Sequence, residues 1–252
     1  MEVFQDYAYY YNTFYNDKDY KAEALQVDRI LNNFGRNISE IMNFGCGTGK
    51  HDIELSKIGY RCAGIDVSSR MIEAAQQNAE KEKLNIEFSV ADIRKYKGQK
   101  KYDAVISLFH VMSYQTSNQD IKAAFCAARE VLPMGGIFLF DVWYGPGVLS
   151  DKPAVRVKEI EKEDMKLIRI ARPVLHEKRN IADIHYNILA IEDKTGKTET
   201  VNEVHTMRYF FRPELELLLE YSGFELLDNI DCKTLGETSF ESWTSYFIAR
   251  AV

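Results

Sequence analysis

Patterns that would assign this chain to several protein classes are missing from it. Its four cysteines lie far apart without a CxxC pair, which argues against a disulfide framework and against a zinc site built from thiolates. No apolar run is long enough to cross a membrane, and a net charge of −6 provides no general attraction for nucleic acid. The first twenty residues hold six tyrosines instead of a basic patch and an apolar run, so we expect no signal peptide. These absences predict a cytoplasmic protein with a small-molecule partner, no nucleic acid partner and no membrane partner.

Two common catalytic signatures are missing as well. The chain has no G-x-S-x-G nucleophile elbow. Its histidines and carboxylates show no spacing typical of metal ligands, so we predict no metal site. Hydrolysis by an activated serine and metal-assisted chemistry are therefore disfavoured.

What the chain does have is a regular alternation of strand and helix signals up to about Tyr144. This pattern is typical of a parallel sheet with helices on both faces. From residue 155 to 211, β-branched and aromatic residues alternate with polar ones around turn signals such as DKTGK, which predicts an inserted antiparallel sheet. A helix, RPELELLLEYSG, and a strand pair, FELLDNI with SWTSYFIARA, close the chain.

These signals predict an α/β fold that we divide into four parts. Residues 1–38 hold the N-terminal segment and the first helix, and residues 39–150 hold the α/β core. Residues 151–211 form the antiparallel insert, and residues 212–252 form the C-terminal helix and the closing strands. With 252 residues and 46% apolar content, the chain can bury a sizeable core.

A glycine-rich loop, FGCGTG, follows the first predicted strand, EIMNF. A dinucleotide fingerprint would need a glycine where the chain has Lys50, and a P-loop would need a glycine in place of Phe44. The loop therefore lacks both of these phosphate cradles. Its G-x-G-x-G spacing predicts a tight turn that brings the backbone close to a ligand without a diphosphate. The three glycines are Gly45, Gly47 and Gly49.

Two carboxylates follow the next two predicted strands. Asp66 ends the second strand, 21 residues after Gly45, where it can accept hydrogen bonds from both hydroxyls of a ribose. Asp92, in VADIR, follows the third strand and can lie beside an adenine amino group. The combination of FGCGTG with Asp66 and Asp92 resembles the S-adenosylmethionine-dependent methyltransferases of the Rossmann-like class. The resemblance implies a Rossmann-like methyltransferase sheet and S-adenosylmethionine as the cofactor.

One position departs from this family. Many relatives have Asp or Glu where this chain has Asn43, and that acid helps to hold the amino group of the cofactor's methionine. An amide can accept the same hydrogen bond without the charge, so the departure concerns affinity more than the identity of the cofactor. The predicted cofactor site comprises Tyr20, Asn43, Gly45, Cys46, Gly47, Gly49, Asp66, Val67, Met71, Asp92, Ile93 and Leu108.

The N-terminal stretch YNTFYNDKDYKAEA, residues 11–24, carries a second resemblance. It is similar to the Y-[DN]-x-x-Y-x-x-K-D-Y start of methyltransferases that dimethylate the amine of nucleotide-linked amino sugars. The similarity to that family extends over nearly the whole chain, including SLFHVMSY, the insert and the YSGF helix end. It implies that this stretch forms a lid over both ligands and that a nucleotide-linked deoxyamino sugar is the acceptor. The tyrosines also fit a simpler interpretation, in which their rings pack the first helix onto the sheet.

The chemistry of methyl transfer asks for few catalytic groups. A sulfonium methyl group needs an unprotonated nucleophile held in line with the breaking bond, and a base only has to remove a proton. In the resembling family the position of Tyr114 lies beside the acceptor nitrogen, which makes Tyr114 the first catalytic candidate and Tyr11 the second. His110 follows the fourth predicted strand and is a candidate base, although a lone histidine is more often structural.

Further candidates lie on the acceptor side of the predicted site. They are Tyr15, Trp143, Tyr144, Arg172, His185 and Arg208. The resemblance assigns the insert to the sugar-nucleotide site, where arginines can grip phosphate. For each histidine and arginine of the insert, including His205, a solvated sheet face is nevertheless the simpler expectation.

Four functions remain open on the sequence. The favoured one is N-methylation, with two methyl groups expected, of the amine of a nucleotide-linked deoxyamino sugar. The runner-up is methylation of another small acceptor, such as the amine of an amino acid or the oxygen of a phenol or quinone. A module that binds S-adenosylmethionine without turnover comes next, and an RNA methyltransferase is disfavoured by the negative charge. The oligomeric state stays open, with a homodimer as one option.

Overall fold

The structure is a computed structural model that describes residues 14, 18–98, 100–162 and 164–252. The first part of this described chain alternates helices and strands. Its elements are α1 (Tyr20–Phe34), β1 (Glu40–Phe44), α2 (Lys50–Lys57), β2 (Arg61–Asp66), α3 (Ser69–Lys81), β3 (Glu87–Val90), β4 (Ala104–Ser107), α4 (Asn118–Val131) and β5 (Ile137–Tyr144). A short 3₁₀ turn, Val111–Tyr114, connects β4 to α4.

The second part of the described chain is dominated by long strands. Its elements are α5 (Gly145–Ser150), β6 (Arg156–Lys162), β7 (Met165–His176), β8 (Ile181–Glu192), β9 (Thr198–Phe210), α6 (Arg212–Tyr221), β10 (Phe224–Asp231) and β11 (Thr244–Ala251). A 3₁₀ turn, Glu177–Arg179, connects β7 to β8. Strands β6 to β9 pair antiparallel in sequence order.

The eleven described strands form one sheet with the order β3-β2-β1-β4-β5-β9-β8-β7-β6, and β11 lies between β5 and β10. Strands β1 to β5 run parallel, and β11 runs antiparallel to β5. The strand order reverses at β1, because β2 lies on one side of it and β4 on the other. Such a switch point opens a crevice at the carboxyl ends of the two central strands. The predicted α/β class with an inserted antiparallel sheet is confirmed, whereas the four-part division stays a prediction.

A short junction links the antiparallel strands to the parallel ones. Trp143 and Tyr144 at the end of β5 pair in parallel with Tyr209 and Phe210 at the end of β9. The antiparallel strands therefore begin where β5 ends, next to the crevice at the switch point.

Both faces of the parallel sheet are buried. Along β5, Phe138 and Phe140 pack against Phe125 of α4, while Leu139 points to the opposite layer, which contains Val27 of α1. A strand covered on both faces has no polar side to alternate with, and this explains the continuous apolar run IFLF in β5.

Side-chain caps set the starts of three helices. Asp19, Ser68 and Ser117 accept hydrogen bonds from backbone N–H groups in the first turns of α1, α3 and α4. Ser68, the residue before Ser69, is thus the cap of α3. Among the helices of the described chain, none combines the length and the apolar character needed to cross a membrane.

A buried polar pair joins β1 to α2. The Asn43 side chain donates from Nδ2 to Asp52 Oδ2 at 2.9 Å, and Asp52 is completely buried. Within the described residues, Asn43 Oδ1, the single oxygen of its amide, and Asp52 Oδ1 have no hydrogen-bond partner. Burial raises the pKa of Asp52 to about 7, against the opposing effect of the hydrogen bond from Asn43. When Asp52 is protonated, its carboxyl group has an O–H hydrogen-bond donor. Asn43 Oδ1 is an acceptor in the same pair.

We expect this pair to make folding stability depend on pH. The pKa of Asp52 is higher in the folded chain than the ordinary value of 3.8. The contribution of protonated Asp52 to the free energy of unfolding is therefore complete below pH 3.8 and is lost as the pH rises to about 7. The loss amounts to about 4 kcal/mol, because each pKa unit corresponds to about 1.36 kcal/mol. Asp52→Asn should therefore be more stable than the wild type at pH 8, and the difference should shrink towards pH 4.

Urea denaturation at pH 4.5 and pH 8 tests this expectation. Asp193→Asn, an exposed acid in the turn between β8 and β9, is the matched control and should behave as the wild type does at both pH values. An Asp52→Asn variant whose stability relative to the wild type is the same at both pH values would contradict the buried, protonated Asp52.

Candidate active site

A cavity of about 1030 Å³ lies in the crevice at the carboxyl ends of the parallel strands. Its volume is at the upper end of the range for ligand pockets. Val204 and Thr206 of β9 contribute to its wall, so the antiparallel insert takes part in the site. The predicted cofactor residues that line the cavity are Tyr20, Gly45, Cys46, Gly47, Asp66, Val67, Met71, Asp92, Ile93 and Leu108.

The glycine loop uses its three glycines in different ways, although all three have positive φ angles. A Cβ atom on Gly45 would lie 2.6 Å from Val111, so this glycine allows close contact with the turn after β4. A Cβ atom on Gly49 would lie 2.7 Å from the Phe88 ring, so Gly49 serves packing and does not line the cavity. Among the described residues, no neighbouring atom lies within 4 Å of the corresponding position on Gly47. The loop thus has open space for a ligand in front of Gly47.

Asp66 is fixed by the backbone around the loop. Its Oδ2 accepts a hydrogen bond from Gly47 N at 3.0 Å, and its Oδ1 accepts one from Ser68 N at 2.9 Å. Burial raises the pKa of Asp66, while these hydrogen bonds lower it. A carboxylate has about four lone-pair sites, so it can still accept hydrogen bonds from two ligand hydroxyls.

Asp92 lines the cavity and forms an ion pair with the side chain of Arg94. Both of its carboxylate oxygens accept hydrogen bonds from the guanidinium of Arg94, which also reaches Asp120 of α4. The hydrogen bonds from Arg94 lower the pKa of Asp92. Asp92 is therefore a fixed, ionised acceptor at the cavity wall.

Asn43 does not line the cavity, because its amide is turned towards Asp52 on the inner side of the glycine loop. The predicted contact between Asn43 and the cofactor is thus not supported by its position. The amide instead holds the first turn of α2 against β1, beneath the backbone that forms the cavity floor.

Charged and aromatic residues from α1 and α2 meet at another part of the wall. The rings of Tyr20 and His51 pack edge to face with their centroids 4.9 Å apart, and Lys50 Nζ lies 5.0 Å from the Tyr20 centroid. His51 Nε2 lies 2.6 Å from Glu23 Oε2 and so ties α2 to α1. Burial lowers the pKa of Lys50, with a further contribution from the charge of Lys18. Lys50 and His51 line the cavity, but their spacing in the sequence does not single them out.

Tyr114, the first catalytic candidate, lines the cavity from the turn after β4. Its hydroxyl lies 2.8 Å from His205 Nδ1, and His205 Nε2 lies 3.0 Å from Glu203 Oε2. His205 is only 2% exposed, so the expectation of a solvated sheet face is wrong for this residue. The reason is that its side of β9 packs against Tyr114. The other two tyrosines of the prediction, Tyr11 and Tyr15, lie outside the described residues.

His110, the candidate base, does not line the cavity. Its Nδ1 lies 2.8 Å from Asp141 Oδ2, at ion-pair distance but outside hydrogen-bond geometry. Its backbone N–H donates to the other oxygen of Asp141 at 2.8 Å. His110 therefore fixes the end of β4 against β5, and its position does not support a role as the base.

The other acceptor-side candidates also lie away from the cavity lining. They are Trp143, Tyr144, Arg172, His185 and Arg208. Trp143 packs against Trp243, and Tyr144 is mostly buried. Arg172 and His185 are exposed and face each other across β7 and β8.

The predicted role of Arg208 is corrected by its position, because its side chain is only 10% exposed and its two terminal nitrogens are bonded inside the protein. Its guanidinium donates to Asn118 Oδ1 at 2.8 Å and to Glu214 Oε2 at 3.2 Å. These contacts join β9 to α4 and α6. The position of Arg208 therefore argues against the predicted phosphate contact. In the described residues, no group of three His, Cys, Asp or Glu side chains is arranged to hold a metal ion.

Comparisons with known sequences match this arrangement to one class of enzyme. Residues 41–136 match the model of a methyltransferase domain. A protein of Geobacillus sp. (strain WCH70) named as a methyltransferase is 30% identical over 141 residues, which cover 56% of this chain and 57% of that protein. The dTDP-3-amino-3,4,6-trideoxy-alpha-D-glucopyranose N,N-dimethyltransferase of Streptomyces venezuelae is 23% identical over 223 residues, which cover 88% of this chain and 91% of that enzyme.

Solved structures share the fold over the whole length. An S-adenosylmethionine-dependent methyltransferase from Clostridium acetobutylicum ATCC 824 has a TM-score of 0.80 at 17% identity, with 99% of both chains covered. The sugar N-methyltransferase KedS8 from Streptoalloteichus sp. ATCC 53650 has a TM-score of 0.80 at 23% identity, with 96% of this chain and 92% of that chain covered. The matched methyltransferase domain, residues 41–136, contains the glycine loop and most of the residues that line the cavity, and the whole chain is similar in fold to S-adenosylmethionine-dependent methyltransferases.

Proposed function

We propose that this protein is an S-adenosylmethionine-dependent methyltransferase that N-methylates the amine of a nucleotide-linked deoxyamino sugar, twice per amine. The observation that carries the proposal is that one cavity is lined both by the glycine-loop side and by Tyr114 with strand β9 of the insert. An acceptor in this cavity would therefore touch the insert. The relative named as a dTDP-amino sugar dimethyltransferase matches 88% of this chain. The unmatched part is smaller than the insert, so the match includes residues of the insert.

The residues around the glycine loop fit S-adenosylmethionine. Gly47 has open space in front of it, and Asp66 is a half-buried carboxylate, held by two backbone N–H groups, that can also accept hydrogen bonds from ribose hydroxyls. Asp92 offers a fixed acceptor for an adenine amino group, and Ile93 adds an apolar wall. When bound, the cofactor would supply an electrophilic methyl group on its sulfur for transfer to the acceptor nitrogen.

The acceptor side of the proposal rests on fewer residues than the sequence suggests. Tyr114 is proposed to orient the amine, because it lines the cavity and its hydroxyl can both donate and accept hydrogen bonds. Arg172, exposed on β7, is the candidate to contact the phosphates of the nucleotide. Arg208 is not a candidate, because its guanidinium is bonded to Asn118 inside the protein. Trp143, Tyr144, His185 and His110 are proposed to support the framework around the cavity.

Asp66→Ala should weaken the binding of S-adenosylmethionine by about 1.5–3 kcal/mol, because two ribose hydroxyls lose a charged acceptor. Asp66→Asn keeps one acceptor oxygen and should give a smaller loss. Calorimetric titration of each variant with the cofactor measures the effect, and Asp193→Ala in the exposed β8–β9 turn is the control. Equal affinities for the wild type and Asp66→Ala would remove Asp66 from the cofactor site.

The acceptor is tested by mass spectrometry of the products. We expect the protein, incubated with S-adenosylmethionine and a panel of thymidine diphosphate amino sugars, to add two methyl groups to at least one sugar amine. Amino acids and catechols serve as competing acceptors in the same panel. Turnover of an amino acid or a phenol without turnover of any nucleotide sugar would reject the proposal in favour of the runner-up. Tight cofactor binding without any turnover would favour a binding module.

A further inference from the structure

Three side chains connect the cavity to the interior of the insert. Tyr114 belongs to the turn after β4, whereas His205 and Glu203 are alternate residues of β9 and so share one face of that strand. The Tyr114 hydroxyl lies 2.8 Å from His205 Nδ1, and the opposite ring nitrogen lies 3.0 Å from Glu203 Oε2. Side chains from residues 91 positions apart in sequence thus form one continuous hydrogen-bonded row.

Glu203 decides the direction of the hydrogen bonds in this row. An ionised carboxylate at Glu203 would only accept hydrogen bonds, which would place the ring proton of His205 on Nε2. Nδ1 is then an acceptor, and the Tyr114 hydroxyl donates to it. The same hydroxyl oxygen has two lone pairs that can accept a hydrogen bond from the cavity. The row is therefore polarised to move a proton from the cavity towards Glu203.

We propose that Tyr114, His205 and Glu203 form a proton-accepting chain that converts the bound ammonium of the acceptor into a free amine, an inference that rests on the proposed N-methylation. An N–H bond of the ammonium breaks and leaves its electron pair on nitrogen, while this proton bonds to the Tyr114 oxygen. The former hydroxyl proton of Tyr114 bonds to His205 Nδ1. The positive charge thus moves from the ammonium to the imidazolium, beside the carboxylate of Glu203.

The chain is regenerated without any further reactant. After the product leaves, the proton returns through Tyr114 to water in the cavity. A singly methylated product is again an ammonium, and the same chain can deprotonate it, because no residue is consumed in the first round. The arrangement accounts for two successive methylations at one site without a second base.

The surroundings of His205 favour this charge movement. Two tyrosine rings pack edge to face against the His205 ring. Tyr114 does so from the turn after β4, and Tyr186 does so from β8 with a centroid distance of 4.8 Å. Across β8, the guanidinium of Arg169 in β7 lies 5.5 Å from the Tyr186 centroid. Glu203 is in direct contact with His205, so its carboxylate favours a positive charge on the His205 ring.

The kinetic test compares pH profiles of kcat with the amino sugar that the panel identifies. At pH 7, His205→Gln and Tyr114→Phe should lower kcat by about 100-fold, the lower end of the range for proton transfer by a positioned group, with KM changed less than about threefold. At pH 9.5 the deficit should fall below about tenfold, because the amine loses its proton to solvent. Glu203→Gln should show a smaller deficit with the same pH dependence.

Controls separate a chemical role from a structural one. His176→Gln is the matched control, because His176 forms a histidine–carboxylate pair with Asp183 on the exposed part of the same insert and should keep the wild-type profile. Calorimetry should give each variant a cofactor affinity within about twofold of the wild type. If His205→Gln does not fold, Tyr114→Phe and Glu203→Gln carry the test. A deficit that stays constant from pH 6.5 to pH 9.5 would overturn the proton-accepting chain while leaving the N-methylation proposal intact.

A second measurement needs no acceptor. In a long-range ¹H–¹⁵N spectrum of the free protein at pH 7.5, assigned by its loss in His205→Gln, the ring of His205 should carry its proton on Nε2. Glu203→Gln should increase the fraction of the other tautomer. A wild-type ring with its proton on Nδ1 would overturn the chain, whether or not any nucleotide sugar is methylated.

Discussion

The site depends on a junction of only two residue pairs, Trp143 with Tyr209 and Tyr144 with Phe210. These pairs hold the end of β9 against the end of β5, so the antiparallel strands start at the rim of the crevice. Arg208, directly before the paired segment, bonds to Asn118 and Glu214 and ties the same end of β9 to two helices. Without this alignment, β9 could not bring His205 to the hydroxyl of Tyr114.

The cofactor side and the acceptor side of the cavity are in direct contact. Val111 begins the turn that carries Tyr114, and its side chain occupies the space that a Cβ atom on Gly45 would need. Any side chain on Gly45 would therefore displace the turn as well as the glycine loop. The close approach explains why this particular loop position is a glycine, in addition to its positive φ angle.

The features that the sequence predicts correctly are local ones. The alternation of strand and helix signals up to Tyr144 indicates the parallel sheet, and FGCGTG with the following acids indicates the strand ends at which the cavity lies. The partner of Tyr114 could not be predicted in this way. Strand alternation puts Glu203 and His205 on one face, but only the junction with β5 decides that this face meets Tyr114 and not solvent. The predictions that Arg208 and Asn43 contact ligands fail in the same way. Their buried partners, Asn118 and Asp52, lie in other elements of the fold and cannot be identified from the sequence.

The position of β11 has a consequence for how the chain is made. This strand consists of residues 244–251 and covers the edge of β5 along seven residue pairs from Trp143 to Ile137. During synthesis, the backbone groups of β5 on that side therefore stay unpaired until residues 244–251 have been made. A chain truncated before β11 would expose this edge, and unpaired apolar edges are sites of aggregation. Residues 244–251 thus protect an apolar strand edge that is made much earlier in the chain.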